Sequence, residues 1–375
     1  IGASTPRADA VEKVTGQARF TSDTMMPGTL WAKSLRSPYA HARIVSVDTS
    51  RASALPGVRA VLTGADVSGV LFGRRMRDVP VLAEHIVRFV GERVAAVAAD
   101  DATIAETACQ LIHVVYEELS PVLGPEAGLA DSAPILHPDV NSYAGLPRTI
   151  EGNLNAFVTD TWGNGSIAKG FMESDVIIEG TYTTQRVHQG YMEPHGCLVW
   201  IDDTGRLNAY APNKAPHRLK INLSDALGIA TNQIVIHHSV VGGDFGGKGS
   251  PMDVPLCYFF AKMTGKPVRA TMSYAEELAA GNPRHASVSY LRTGLKENGT
   301  IVAHEARILF DSGAYAGFKP VPAVNLPGPL TPATLTAYQT HSLKQFMSIP
   351  TLFPVVFTEG QGQCSPISVS SLTWM

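Results

Sequence analysis

The chain has 375 residues, 17% of them charged and 45% hydrophobic, with a formal net charge of −3 at pH 7. This length allows two or three domains with buried cores, and the small net charge gives no indication of nucleic acid or an anionic membrane as a partner. The four cysteines include no C-x-x-C pair, which argues against an iron–sulfur cluster, a structural zinc or a disulfide framework. No apolar run is long enough to span a bilayer and no signal peptide is evident, so we expect a cytoplasmic protein.

Residues 1–118 have the alternating, β-branched pattern of short strands. Strands are predicted at residues 30–35, 44–48, 58–62 and 87–98, and a helix at 101–111 is expected to pass into a strand at 112–116. Residues 119–152 are rich in Pro, Gly, Ala and Asp and have no sustained period, which is typical of a linker.

A second region begins near residue 153. Strands are predicted at 176–182, 197–202 and 233–238, and helices at 216–227 and 254–263. Strands and helices are therefore mixed along the whole chain, and the predicted fold class is α+β (mixed α/β).

A glycine-rich loop, residues 240–250, connects the last predicted strand to the last predicted helix. Four glycines, Gly242, Gly243, Gly246 and Gly247, lie around a single bulky residue, Phe245. Glycine lets the backbone adopt conformations closed to other residues and lets a ligand approach the main chain. A strand, a bare loop and a helix in this order are typical of sites that bind phosphate through amide N–H groups.

Two other interpretations of the loop compete with a cofactor site. Gly242, Gly247 and Lys248 satisfy the G-x-x-x-x-G-K pattern of a nucleotide-binding P-loop, but Gly249 stands where Ser or Thr should hold Mg²⁺. The second alternative is a turn that packs a strand against a helix, with Phe245 as a core residue.

Six short blocks, spread from the N-terminus to residue 315, indicate the function most strongly. They are P-R-A-D-A-V-E-K-V-T-G at 6–16, S-P-Y-A-H-A-R-I at 37–44, V-R-F-V-G-E at 87–92, Q-R-V-H followed by M-E-P within 185–194, G-G-D-F-G-G-K at 242–248 and D-S-G-A-Y at 311–315. Each is weakly specific alone. Together and in this order, they resemble the large molybdopterin-binding subunit of the xanthine dehydrogenase and aldehyde oxidase family.

The resemblance implies a domain organisation and a cofactor. Residues 1–118 would form an α/β hammerhead domain, 119–152 a linker, and 153–334 an incomplete first molybdopterin-binding domain. The cofactor would be molybdenum–molybdopterin, as such or as the cytosine dinucleotide, with no iron–sulfur cluster or FAD in this chain. A [2Fe-2S] subunit and an FAD subunit are the implied partners, in a homo-oligomeric complex, and a second molybdopterin subunit is one alternative.

The resemblance also assigns roles to individual residues. Gly242, Gly243, Gly246 and Gly247 would form the pterin-binding loop, and Phe245 would lie beside the molybdenum. Gln185 is similar in position to a glutamine whose amide donates to an oxygen on the metal, although it could equally be an exposed strand residue. Lys248 would neutralise a pyrophosphate or cap a surface turn. No residue is expected to bind the metal directly, and His188, His195, His237 and His238 are interpreted as structural.

The implied activity is hydroxylation of an N-heterocycle, an aldehyde or an aromatic substrate, with water as the oxygen source. Gly249 replaces a glutamate of purine-hydroxylating members, which makes a xanthine-type substrate less favoured. The family's glutamate base lies beyond the end of this sequence, so no catalytic residue is assigned and the chain alone is expected to be inactive. A non-catalytic scaffold subunit and one half of a split hydroxylase are the alternatives.

The last residues, 335–375, match nothing in the family. Codons shifted by one base allow the peptide Y-R-I-P-N-T-F-L-E-A-V-Y-V-Y-T-N to begin at Leu335, and this peptide resembles the family's next segment. We therefore predict a one- or two-nucleotide insertion or deletion between about Pro329 and Leu335, and an out-of-frame tail that forms no native core. Resequencing tests this: an intact frame whose codons cannot encode that peptide would contradict it.

Overall fold

The computed structural model describes residue 2 and residues 4–74, 76–146, 149–318 and 341–348. Its helices are α1 (Ala10–Val14), α2 (Ser50–Ser53), α3 (Ala102–Leu111), α4 (Pro125–Leu129), α5 (Ile167–Met172), α6 (Pro216–Leu227), α7 (Val254–Thr264) and α8 (Tyr274–Ala280). Within this part of the chain, no helix is both long enough and apolar enough to cross a membrane.

The strands fall into two groups along the chain. The first comprises β1 (Leu30–Arg36), β2 (Ala42–Asp48), β3 (Val58–Thr63), β4 (Leu71–Phe72), β5 (Val79–Pro80), β6 (Ile86–Val87), β7 (Arg93–Ala99) and β8 (His113–Glu118). The second comprises β9 (Ala156–Asn164), β10 (Val176–Thr184), β11 (Gly196–Ile201), β12 (Leu207–Tyr210), β13 (Ile234–His237), β14 (Val268–Thr271), β15 (Ser287–Leu295), β16 (Ile301–Asp311) and β17 (His341–Ser348). The mixed α/β class predicted from the sequence is confirmed.

The largest sheet joins the two regions that the sequence separates. Its order is β13-β12-β11-β14-β1-β7-β3, and β1 pairs in parallel with β14, with Leu30 opposite Val268. The helix α7 packs on this sheet, and its Phe260 is buried together with Leu30 and Val199. Burial of this apolar surface stabilises both regions at once, because the core contains residues from each. The domain boundaries at residues 118 and 153 remain predictions, since the sheet contains strands from both sides of them.

The helices around this sheet begin and end where local chemistry favours it. Asp101 caps α3 by accepting a hydrogen bond from the Ile104 amide at 2.8 Å. Pro216 opens α6, and Gly228 ends it with a left-handed φ of 67°. These are the bounds expected from the sequence.

The strand predicted at residues 87–98 is instead two strands, β6 and β7, separated by a turn. Gly91 has φ 100°, and its amide donates to the Ser37 carbonyl at 2.8 Å. The Glu92 carboxylate is buried and accepts a hydrogen bond from the Arg88 amide at 2.5 Å. A segment predicted as one strand therefore contains a turn, because a distant segment supplies hydrogen-bond partners for its backbone.

The described residues of the segment 119–152, predicted as a linker, include several that pack against other parts of the chain. They contain α4, and Val122, Leu136, Val140 and Ile150 are buried against Met76 and Ala316. The assignment of this segment as a linker between domains remains a prediction, and its few but well-spaced apolar side chains are enough to form a small core.

The described part of the tail is a single strand. Residues 341–348 form β17, which lies between β16 and β9 in a sheet of order β10-β15-β16-β17-β9. It runs parallel to β16 and antiparallel to β9. The backbone here therefore pairs on both sides, and the out-of-frame tail without a native core remains a prediction. Residues 335–340 and 349–375 lie outside the described residues.

The buried Asp78 gives a test of how these regions stabilise each other. Its carboxylate accepts hydrogen bonds from the amides of Ala316 (2.6 Å) and Gly317 (2.9 Å). Burial raises the pKa of Asp78 to about 7, although these hydrogen bonds oppose the rise. In an unfolded chain the pKa is about 3.9, so the folded state binds the proton more tightly. Its contribution to stability is therefore complete below about pH 4 and is lost as the pH rises through about 7.

Asp78→Asn should remove this pH dependence. The wild type is expected to lose stability between about pH 4 and pH 7 relative to the variant, and the difference should be constant at higher pH. Urea unfolding at several pH values measures it, with the exposed Asp131→Asn as the control. Parallel curves for the wild type and Asp78→Asn would contradict the assignment.

Candidate functional site

The start of the glycine loop, residues 240–250, is bonded to the N-terminal segment of the chain. Val240 forms a parallel bridge with Phe20, and its amide donates to the Arg19 carbonyl at 3.1 Å. The hydroxyl groups of Thr21 and Ser239 lie 2.9 Å apart. The loop is thus attached at its start to a segment more than two hundred positions earlier in the chain.

Asp244 closes the second half of the loop on itself. Its carboxylate accepts hydrogen bonds from the amides of Gly246 (2.9 Å) and Lys248 (2.6 Å), and its carbonyl accepts one from Gly247 (2.8 Å). These amides are therefore satisfied inside the protein, as is that of Gly242, which donates to Glu193 at 2.7 Å. Among the described hydrogen bonds, none uses the amides of Gly243, Asp244 or Phe245, so these three successive N–H groups are available to a ligand.

Lys248 is fully buried, and its charge is neutralised within the protein. Its ammonium lies 2.7 Å from Glu193 Oε2 and 4.8 Å from the centre of the Tyr191 ring. Burial lowers the pKa of Lys248, while the Glu193 carboxylate opposes that change. Neither role predicted from the sequence fits this geometry, because the side chain neither caps a surface turn nor reaches outward to a pyrophosphate.

Three of the glycines are required by packing against Tyr191 and Glu193. A Cβ atom on Gly242 would lie 2.6 Å from Glu193 Cβ, and one on Gly243 would lie 2.8 Å from Tyr191 Cβ. A Cβ atom on Gly247 would lie 2.6 Å from Tyr191 Cε1. Close contacts within the protein therefore require glycine at these three positions, whatever the loop binds.

Phe245 and Gly246 form the loop tip and differ from the three glycines described above. Phe245 has φ 44°, a left-handed conformation that is rare for a bulky side chain, and 55% of it is exposed. Gly246 follows with φ 96°. Phe245 is therefore not a core residue. A backbone outlier of this kind costs about 1–3 kcal/mol and is concentrated at functional sites.

The Tyr191 side chain below the loop is held by a buried carboxylate on α8. Glu277 accepts hydrogen bonds from the Tyr191 hydroxyl, the His195 amide (2.7 Å) and His195 Nδ1 (2.8 Å). Burial acts to raise the pKa of Glu277, but His195 and these donors outweigh it and lower the pKa to about 2. Since Glu277 is ionised, His195 Nδ1 carries the proton. His195 is thus fixed by Glu277 through Nδ1, and no sequence motif had indicated Glu277 or Tyr191.

The two glutamines near this segment differ in position. Gln185, the predicted residue, is exposed just after β10, and no described contact joins it to the loop. Gln189 lies against Gly247 instead, because a Cβ atom there would be 2.8 Å from Gln189 Oε1. The structure therefore brings a neighbouring glutamine, rather than Gln185, next to the loop.

Five of the six sequence blocks join through direct contacts. The backbone of Ser37 bonds to that of Gly91 and Glu92. Further pairs are Glu92 with Tyr315, Arg186 with Asp311 at 2.8 Å, and Glu193 with Gly242 and Lys248. Blocks that are far apart in sequence are therefore parts of one continuous structure that ends at the glycine loop.

Comparison with known proteins identifies two domains in the chain. Residues 15–120 match the a/b hammerhead domain of aldehyde oxidase and xanthine dehydrogenase, and residues 150–339 match the molybdopterin cofactor-binding domain. The second match alone covers half of the chain. The chain belongs to the xanthine dehydrogenase and aldehyde oxidase family. Its members are molybdenum-dependent oxidoreductases, and this chain corresponds to an N-terminal part of their large subunits.

Individual relatives in the family are similar over most of this chain. It is 37% identical over 317 residues to a probable xanthine dehydrogenase subunit of Bacillus subtilis (strain 168), covering 84% of this chain and 40% of that protein. It is 30% identical over 324 residues to the nicotinate dehydrogenase large molybdopterin subunit of Eubacterium barkeri, covering 85% and 72%. The solved structure of quinoline 2-oxidoreductase from Pseudomonas putida 86 superposes with a TM-score of 0.84 at 29% identity, covering 96% of this chain and 46% of that one. The chain thus spans less than half of two of these three family members.

The residues around the loop fit the family's cofactor. Among the described residues, Glu193 Oε1 and His195 Nε2 are buried without a hydrogen-bond partner, and both belong to the segment that contacts the loop. Buried polar atoms without partners are uncommon in folded proteins and indicate a missing ligand or water. A pterin offers ring N–H groups and a phosphate offers acceptors, so an acceptor on Glu193 and free amides at the loop tip suit such a group.

Proposed function

We propose that this chain supplies the hammerhead region and the first molybdopterin-binding region of a molybdenum hydroxylase. The observation that carries the proposal is the loop tip, where a strained and exposed Phe245 lies beside free amides. The rest of the loop is fixed by Glu193, Lys248 and Asp244. Backbone conformations of this kind are concentrated at functional sites, which supports a ligand at the loop tip.

The residues that would hold molybdenum–molybdopterin are those of the loop tip. The amides of Gly243 and Phe245 would donate to the cofactor, and Gly246 would let the backbone turn close to it. The ring of Phe245 would cover one side. Gly242 and Gly247 would act by letting the loop lie flat on Tyr191 and Glu193. Gln185 would contact the cofactor only if the backbone at the end of β10 moved, whereas Gln189 is already adjacent to the loop.

When bound, this cofactor supplies two-electron redox chemistry that hydroxylates an electron-poor carbon with oxygen from water. The chain's own residues would bind and orient it, which is the usual contribution of a protein to cofactor chemistry. No described residue is assigned as the general base.

We propose an N-heterocycle, an aldehyde or an aromatic compound as the substrate. Relatives include a nicotine 6-hydroxylase large subunit, at 30% identity, and a quinoline 2-oxidoreductase. Gly249 has space for a side chain, since the nearest atom to a Cβ there is Lys214 Cε at 3.5 Å. Packing therefore does not require glycine at this position, and its small size is compatible with a substrate that needs no carboxylate there.

The proposed partners are a [2Fe-2S] subunit and an FAD subunit in a cytoplasmic, homo-oligomeric complex. The pterin would be carried as such or as the cytosine dinucleotide. One observation favours a split enzyme as the second candidate. The chain covers 72% of the nicotinate dehydrogenase large molybdopterin subunit but about 40% of the xanthine dehydrogenase subunits, so one relative is itself much shorter. In that case a separate polypeptide would complete the cofactor site.

The test is to isolate the complex from its native source through a tag on this chain. We expect molybdenum by metal analysis, a fluorescent pterin after oxidation, and iron–sulfur and flavin absorption. Mass spectrometry of the co-purifying proteins would identify a second molybdopterin polypeptide if the enzyme is split. A stable complex that contains neither molybdenum nor pterin would contradict the proposal and favour a scaffold subunit.

A further inference from the structure

Tyr191 lies directly against the glycine loop and limits how closely the loop can approach the segment that carries Tyr191. Its Cβ and Cε1 atoms occupy the space that side chains on Gly243 and Gly247 would need. The buried ammonium of Lys248 lies 4.8 Å from the centre of its ring. A displacement of this ring would therefore move the loop, because protein interiors are close-packed and transmit such shifts.

The helix α8 holds Tyr191 at both ends. The Tyr274 hydroxyl donates to the Tyr191 carbonyl at 3.0 Å, and Glu277 accepts the Tyr191 hydroxyl. Glu277 itself is 0% exposed and is fixed by two further hydrogen bonds from His195. The segment that carries Glu193 is thus attached to α8 on either side of Glu193, through Tyr191 and through His195.

We propose that Glu277 is a positioning residue for the glycine loop and acts through Tyr191. It does not touch the loop, and its carboxylate sets the position of the ring on which the loop lies. The inference rests on the proposed function only in explaining why the position of the loop matters. A purely structural role would instead affect the stability of the whole chain and leave the loop no more mobile than other segments.

The experiment is hydrogen–deuterium exchange of the native complex with peptide resolution. Tyr191→Phe keeps the ring and removes the hydroxyl, while Glu277→Gln keeps the shape and removes the charge. In both variants we expect the amides of residues 246–248 to exchange roughly tenfold faster, as loss of one well-formed hydrogen bond can produce. The matched control is Tyr143→Phe, whose hydroxyl lies 2.8 Å from His137 Nδ1 in a different cluster.

The outcomes separate this inference from the proposed function. Faster exchange in the loop for Tyr191→Phe and Glu277→Gln, but not for Tyr143→Phe, supports positioning. Unchanged loop exchange in the first two variants, or the same increase in all three, overturns it. The comparison does not depend on molybdenum content. A complex without molybdenum would therefore contradict the proposed function, and the exchange of the loop amides could still be interpreted.

In a complex that contains the cofactor, the pterin content gives a second readout. Tyr191→Phe and Glu277→Gln should retain less molybdenum and pterin than the wild type, whereas Tyr143→Phe should retain a normal amount. Equal cofactor content in all variants, despite faster loop exchange, would overturn the view that this position matters for binding.

Discussion

Lys248→Met is expected to lower the free energy of unfolding by about 3–5 kcal/mol, because it leaves the Glu193 carboxylate buried without its counter-charge. The two groups are 2.7 Å apart, and the lysine side chain is completely buried. Methionine fills nearly the same volume, so the loss would come from the charge rather than from a cavity. Urea unfolding monitored by circular dichroism measures the effect.

Two controls identify the cause. The double variant with Lys248→Met and Glu193→Leu should lose much less than the sum of the single changes, since no isolated charge remains. Lys169→Met removes a lysine that is 70% exposed and 3.6 Å from Glu173, and it should leave the unfolding midpoint nearly unchanged. Equal effects of Lys248→Met and Lys169→Met would refute the buried ion pair.

Gly246→Val is expected to abolish cofactor binding and activity of the complex while leaving the large sheet folded. Gly246 has φ 96°, a conformation closed to a β-branched residue, and the side chain would also block the approach of a ligand to the loop tip. Molybdenum per complex, released pterin and substrate turnover measure the effect, and circular dichroism reports the fold.

Gly228→Val is the matched control for this variant. Gly228 also has a left-handed φ, 67°, but it ends α6 and nothing lies within 4 Å of a Cβ atom there. It should therefore cost stability without loss of cofactor. If Gly246→Val keeps activity within a few-fold of the wild type, the loop tip is only a packing turn and the proposed function loses its main support.

The sequence by itself determined the local elements around the site. The bounds of α6 were predictable because Pro216 and the glycine that follows Leu227 act within a few residues of the helix ends. The glycine loop was recognisable for the same reason, since glycine content directly changes what the backbone can do. The order of the family blocks was also readable without coordinates, and the family was correctly identified from them.

Only the tertiary structure decided what those elements contact. The turn at Gly91 and the burial of Val122, Leu136, Val140 and Ile150 depend on partners far away in sequence, which a local pattern does not contain. The sheet that joins β1 to β14 is of the same kind. Strand pairing and small cores are set by side chains that meet only when the chain folds.

The candidate site also contains contacts that the sequence did not predict. The sequence indicated the loop and Phe245, but it could not show that Lys248 pairs with Glu193, which is 55 positions away. It also indicated Gln185, and it gave no indication of Gln189 or Glu277. A residue's role in a buried polar network depends on which charges and donors surround it after folding. That arrangement, rather than the residue type, determines whether a lysine binds a ligand or fixes the loop beside it.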